Sequence, residues 1–394
     1  MAMKRGIRKI VAAGLSALLF LWYFSPAMRT LRALPEGVAA GEKAAAGRFI
    51  GTEAWPVRSS GDARLGGVER TYTLFGVVPL RTVQEVAALP AVSLGGRAVG
   101  IVLYTKGVQV VGFTTVDTTK GPLSPAYTAG LKKGDAILAV DGQAVRGAMS
   151  LMDLLQDKEQ VTLTVRREEA ILTLSLRPAR ERATGQDRLG AWVRESTSGI
   201  GTLSFCKEDR YCALGHGVTD VDTGVTLLPD RGFIAPAAVT AVQPAGSGQV
   251  GELVGTFSTR EGEAVGRIDA NGAYGVAGLY FGTPDLWGRE LPLGAASQVK
   301  TGEATLYSAA DGTLRGYSCR IIRLKVQSAP GVQGMMVEVT DQALLSLTGG
   351  IVPGMSGSPV VQNGRLVGVV THVFVNEPRR GYCVYAQWML EKLF

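Results

Sequence analysis

A chain of 394 residues with 52 glycines, 46% hydrophobic and 19% charged residues is long enough for two to three domains with sizeable cores. The net charge of +7 comes from 41 Lys and Arg against 34 Asp and Glu, dispersed and without an aromatic-interleaved basic patch, which argues against a nucleic-acid partner. The basic balance points instead to an anionic membrane surface.

The N-terminus reads as a targeting signal. Lys4, Arg5, Arg8 and Lys9 precede a charge-free run from Ile10 to Met28, which nearly spans a hydrocarbon core of about 30 Å as a helix. The positive flank stays cytoplasmic and sends the rest of the chain outward. A cleaved signal peptide and an uncleaved anchor both fit; Pro26 inside Ser25-Pro26-Ala27 spoils the cleavage pattern and favours an anchor over 1–28. Residues 29–92 read as a linker with some strands. Within it, the small residues of 37–47 make either a cleavable stretch or a short exposed helix.

Residues 93–180 predict a compact α/β module. Strands at 99–104 and 108–113 are expected to pair across a glycine turn at Lys106-Gly107. Ser124-Pro125-Ala126 opens a helix that Gly130 ends, and 133–142 gives a turn, a strand and another turn. A second helix at 149–155 and a hairpin of 161–165 with 170–176 complete the module. Ser124–Gly142 resembles the PDZ domains of bacterial proteases. That resemblance implies a fold that takes up an extended peptide as an added strand and holds its terminal carboxylate on a glycine-bearing loop. Val99, Gly100 and Ile101 are the candidate contacts; a module that merely packs as a spacer is the alternative.

Residues 187–394 carry the chemistry. Short, glycine-punctuated apolar segments such as 251–257 and 275–280 predict a sandwich or barrel. His216, one of two histidines, is bracketed by Gly215 and Gly217 at the end of an apolar segment and is the candidate general base. In Gly354-Met355-Ser356-Gly357-Ser358-Pro359, a serine with glycine at −2 and +1 is placed as trypsin-like hydrolases present a nucleophile. The amides of Gly354 and Ser356 are then free to form an oxyanion hole. Ser358 precedes proline, lacks the glycine at −2, and ranks below Ser356.

A carboxylate must orient the imidazole. Asp341, between the apolar stretch 334–339 and the serine loop, is the choice, with Asp220 and Asp222 as rivals better read as a turn after the histidine. Asn363-Gly364 predicts a hairpin behind the serine. His372 is the rival base, better read as part of the substrate-binding wall or as simple strand packing. Cys206, Cys212, Cys319 and Cys383 leave two readings open: a bridge between the first two across a hairpin, or four free thiols. Their spacing fits no zinc site, and no nucleotide fingerprint occurs, so neither metal nor cofactor is expected.

ALGHGVTD at 213–220, the VTD ending at Asp341, the stretch from Thr348 to Pro378 and the closing GYCVYAQWML together resemble the stage IV sporulation protein B peptidase family. The resemblance covers 90–394 well and the first 90 residues in layout. It implies a mainly β chain, a chymotrypsin-like double β-barrel serine peptidase preceded by a PDZ domain and an N-terminal membrane segment. Its catalytic triad falls on His216, Asp341 and Ser356. It further implies self-cleavage in the N-terminal region and action between the two membranes around the forespore. The partners are then a membrane, a PDZ-bound peptide and a protein substrate that regulates the membrane metalloprotease activating a late sigma factor. An exported quality-control protease and a membrane-tethered PDZ scaffold with an inactive hydrolase domain are the competing readings. In the former the PDZ domain usually follows the protease, whereas here it precedes it.

Overall fold

The structure, a computed structural model, describes residues 89–394 apart from 247, 326, 328 and 329, and before them 14, 16, 20–26, 28–29, 37–39, 50–57, 67–74 and 77–86. Most of the expected membrane segment 1–28, and the cleavable stretch after Ala39, lie outside the described residues. Among those described, no helix is long and apolar enough to cross a membrane.

The chain divides into two compact units, 1–90 with 292–300, and 91–291 with 301–394. In the first, Gly37–Ala39, Val78–Val86, Gly67–Leu74 and Ile50–Val57 form a four-stranded sheet in that order. The sequence predicted a linker with some strands here. Runs rich in Val, Thr, Tyr and Trp suit a pleated surface, and they pair with one another into a sheet.

The second unit is built on two closed six-stranded barrels, the mainly β double-barrel architecture expected. The first runs through Ala98–Phe113, Pro229–Gln243, Gly266–Gly272, Gly275–Tyr280, Arg210–Ala213 and Ala191–Lys207, which pairs back with Ala98–Phe113. The second runs through Gly302–Ser308, Arg315–Leu324, Met335–Val339, Glu377–Tyr385, Arg365–Phe374 and Pro359–Gln362, and closes on its first strand. The period-two pattern of a strand explains each wall. Along Arg315–Leu324, Tyr317, Cys319 and Ile321 are buried while Ser318 and Arg320 face out. The first barrel is filled by Val99, Ile101, Leu103, Leu203, Tyr211, Ile234 and Val276.

The α/β module has its predicted elements: helices Pro125–Thr128 and Ala148–Leu155, strand Ala136–Val140, and the hairpin of Val161–Arg167 with Ala170–Leu176. Its core contains Val110, Ile137, Leu151, Leu163 and Val165, with Ala191 and Val193 packed against it. Its placement differs from expectation. Val99–Tyr104 and Val108–Phe113 do not form a hairpin but belong to one strand, Ala98–Phe113. Gly107 sits in a bulge there, since Arg194 stands opposite Gln109 while Ser196 stands opposite Tyr104. The first half of this strand is a stave of the barrel and the second half belongs to the module. Ala191–Lys207 makes the reverse passage. The module is thus inserted between two neighbouring barrel staves, and the first barrel takes one stave from residues before the module.

All four cysteines are free and buried. Cys206 stands opposite Tyr211 and Cys212 opposite Phe205. Cross-strand partners share a face and neighbours along a strand do not, so the two thiols point to opposite sides and no bridge forms. Burial pushes the Cys206 and Cys319 thiols up to about 12, which makes them inert.

Candidate active site

His216 follows the strand Arg210–Ala213 of the first barrel through Leu214 and Gly215, both at φ +70°. A leucine in the left-handed region costs about 1–3 kcal/mol, and its buried side chain packs into the first-barrel core. This kink carries the half-buried imidazole out of the sheet. The ring Nδ1 lies 3.0 Å from the Gly217 carbonyl. A carbonyl can only accept, so Nδ1 holds the proton and Nε2 is left as the basic nitrogen. Burial, the largest cause, holds the His216 pKa below the ordinary imidazole value; nearby His372 lowers it further, and the Gly217 carbonyl opposes both. The two rings are 4.9 Å apart, centre to centre.

Ser356 comes from the second barrel. The helix Gln342–Thr348 ends at Gly349, and the chain then runs through Ile351, pinned by its N–H to the Pro378 carbonyl at 2.7 Å, into the serine loop. Gly354 and Gly357 have φ +96° and +105°. Strand Ala191–Lys207 of the first barrel clamps this loop through Thr202. Its hydroxyl donates to the Gly354 carbonyl at 2.6 Å, and its N–H to the Ser356 carbonyl at 3.1 Å. A Cβ on Gly357 would lie 2.0 Å from the Thr202 carbonyl oxygen, so glycine is required there. The N–H groups of Gly354 and Ser356 have no acceptor among the described residues, and the Ser356 hydroxyl donates to the Thr371 carbonyl at 2.8 Å.

His216 and Ser356 line one cavity of about 500 Å³. Gly354, Thr371 and His372 line it too, so the sequence-predicted base, nucleophile and oxyanion donors come together, with His372 in the wall. Ser358 is fully buried and out of reach of a substrate.

Asp341 is not brought to His216. It is the N-cap of the helix Gln342–Thr348, and one carboxylate oxygen accepts from the Ala343 and Leu344 N–H at 3.0 and 3.2 Å. The other accepts from the Ser318 N–H at 3.1 Å. It is absent from the cavity wall. A residue that opens a helix offers its acceptors to orphan backbone N–H groups, and in this structure the Asp341 carboxylate bonds to backbone N–H groups and not to the His216 ring. The amide of Asp341→Asn is still a good cap, whereas amidation of a triad acid costs about 10⁴-fold in kcat. We expect Asp341→Asn to keep peptide hydrolysis within tenfold, roughly the effect of a slightly displaced loop. Asp341→Ala should lower stability by about 1–2 kcal/mol in a urea titration.

The rivals Asp220 and Asp222 form the turn expected after the histidine, and this turn is tied down. Arg194 donates to both carboxylates. Buried Asp220 also accepts from the Thr223 hydroxyl at 3.0 Å, and Gln109 donates to the Thr223 hydroxyl at 3.2 Å. Burial alone would raise the Asp220 carboxyl, but its bonds to Thr223 and Arg194 hold it below the usual carboxylate range. Gln109 and Arg194 sit on the module's two entering strands. The histidine loop is therefore anchored to the module, through residues that no motif marks. Thr202 and Thr371 were missed for the same reason: each is an ordinary strand threonine, given its task by a loop more than ten residues away.

Val99, Gly100 and Ile101 are not a peptide-binding loop. Val99 pairs with Gly201 on one side and Pro236 on the other, and Ile101 pairs with Gly199 and Ile234. With both edges used there is no room for an added strand. Farther along, Gly112 and Phe113 pair with Trp192 and Ala191, so the chain's own strand runs beside this part of the module.

Residues 185–390 match the family described as SpoIVB peptidase S55, and residues 118–167 match a PDZ domain. No curated protein matches the chain.

Proposed function

Since the chain belongs to the SpoIVB peptidase S55 family, serine peptidases of sporulation with a double β-barrel, we propose that Ser356 is its nucleophile and His216 its general base. One observation carries the assignment: each barrel contributes one of the two residues to the same cavity. Rotation of the Ser356 hydroxyl away from Thr371 directs its proton to His216 Nε2 as the oxygen attacks a peptide carbonyl. The N–H groups of Gly354 and Ser356 receive the oxyanion, where one such donor is worth about 10²–10³ in rate. The imidazolium then gives its proton to the leaving amine, and water releases the acyl group. The Gly217 carbonyl keeps the proton on Nδ1, the tautomer that a triad carboxylate otherwise secures. Asp341 acts at one remove, by capping the helix that leads into the serine loop.

The wider reading is of a membrane-associated enzyme acting outside the cytoplasm, by its relatives' example between the membranes around the forespore. It cuts its own N-terminal region and a protein regulator of the complex that processes a pro-sigma factor. The basic-then-apolar N-terminus and the motifs shared with the family support this, and a peptide held by the PDZ domain fits the same scheme. Labelling of the full chain by a small serine-directed fluorophosphonate is expected, and is expected to vanish in Ser356→Ala. Folded wild-type protein that takes up no label would sink the assignment.

A further inference from the structure

Among the described residues, no Asp, Glu, Lys or Arg lines the cavity shared by His216 and Ser356, in a chain with 19% charged residues. The segments flanking the serine are apolar on both sides. Ile351 and Val352 precede it and are almost fully buried, while Val373 and Val375 follow Thr371 and line the same cavity. A carbonyl placed over Ser356, with its oxygen at the Gly354 and Ser356 N–H groups, projects its side chain into the space between these segments. At the cavity's margin, three valines from three separate segments are left exposed: Val221 by 85%, Val250 by 52% and Val375 by 51%. Exposed apolar side chains gathered around a cavity mark a binding surface rather than ordinary surface scatter.

Building on the assignment of Ser356, we infer that the enzyme selects an uncharged, extended segment with an apolar side chain immediately before the scissile bond. The cavity's volume of about 500 Å³ exceeds a single side chain, so neighbouring residues of the substrate share the preference. Selectivity arises by exclusion as much as by attraction. An ammonium, guanidinium or carboxylate entering this wall leaves water and finds no opposite charge, whereas each extra methylene gains about tenfold or more.

The test uses peptidyl phosphonates that differ only in the side chain occupying this position: Val, Leu, Lys and Asp. Labelling rates of the full-length protein are expected to be at least about 100-fold higher for Val and Leu than for Lys and Asp. Val373→Asp is expected to raise the rate with the Lys probe and lower it with the Leu probe. Equal rates, or faster labelling by a charged probe, overturn the inference. So does a protein that reacts with the small fluorophosphonate but with none of the peptidyl probes, and in that case Ser356 keeps its role. Failure of the small probe as well takes down both.

Discussion

Replacement of His216 by alanine is expected to reduce kcat by about 10⁶-fold, the cost of losing the base from a serine–histidine pair acting as one unit. The protein should stay folded, because the half-buried ring's one protein hydrogen bond is to the carbonyl of its own neighbour, Gly217. In the wild type, kcat/KM should follow the neutral imidazole. Burial first, then His372, lowers the His216 pKa, so the acid limb of the pH profile should fall below the ordinary imidazole value of about 6.5. The sign is fixed: a base that resists protonation stays competent at lower pH. Removing one cause moves the limb back, so His372→Gln should shift it to higher pH while retaining activity. A loss of activity in His372→Gln, with His216→Ala still active, would reverse the assignment of the base.

The second large effect is expected at Gly357. Alanine there must adopt φ +105° and bring its Cβ within 2.0 Å of the Thr202 carbonyl and 2.8 Å of the Leu214 N–H. Both are backbone atoms and cannot rotate away. The serine loop must lift from the first barrel, and displacement of a reacting atom by about 1 Å costs about 10²-fold. We expect Gly357→Ala to lose at least that much in kcat/KM, together with about 3 kcal/mol of stability from overpacking and strain. Gly364→Ala is the control. It shares a positive φ of +73° but meets nothing within 4 Å, and should cost about 1–2 kcal/mol with no change in kcat/KM. Equal behaviour of the two variants in denaturant titration and turnover would refute the clamp.

The residues legible in the sequence share one property: their signal is local. Ser356 with its glycines, the Asn363-Gly364 turn that joins Pro359–Gln362 to Arg365–Phe374, and the module's helices and hairpin are each specified within a few residues. What escaped is non-local. The strand Ala98–Phe113 has the composition of a hairpin with a central glycine, and only its partners 191–202 and 229–236 show that the chain runs straight on. Asp341 has the residue type and order of a triad acid, yet the helix that begins after it takes one carboxylate oxygen and the Ser318 N–H takes the other. Thr202 and Arg194 act on segments far along the chain, and a strand threonine or arginine carries no mark of that.

The insertion of the PDZ domain between two barrel staves has a consequence for folding order. The stave 98–105 emerges early in synthesis, but its neighbours 196–202 and 229–236 emerge much later. Closing so long a loop from an unfolded chain carries an entropic cost that grows with its length and delays non-local pairing. A folded insert changes that, because its two ends are already side by side: Phe113 stands opposite Ala191 and Gly112 opposite Trp192. A module that folds first is expected to act as a template that delivers both staves in register. We expect the first barrel, and with it the placement of His216, to be assembled from the PDZ domain outward.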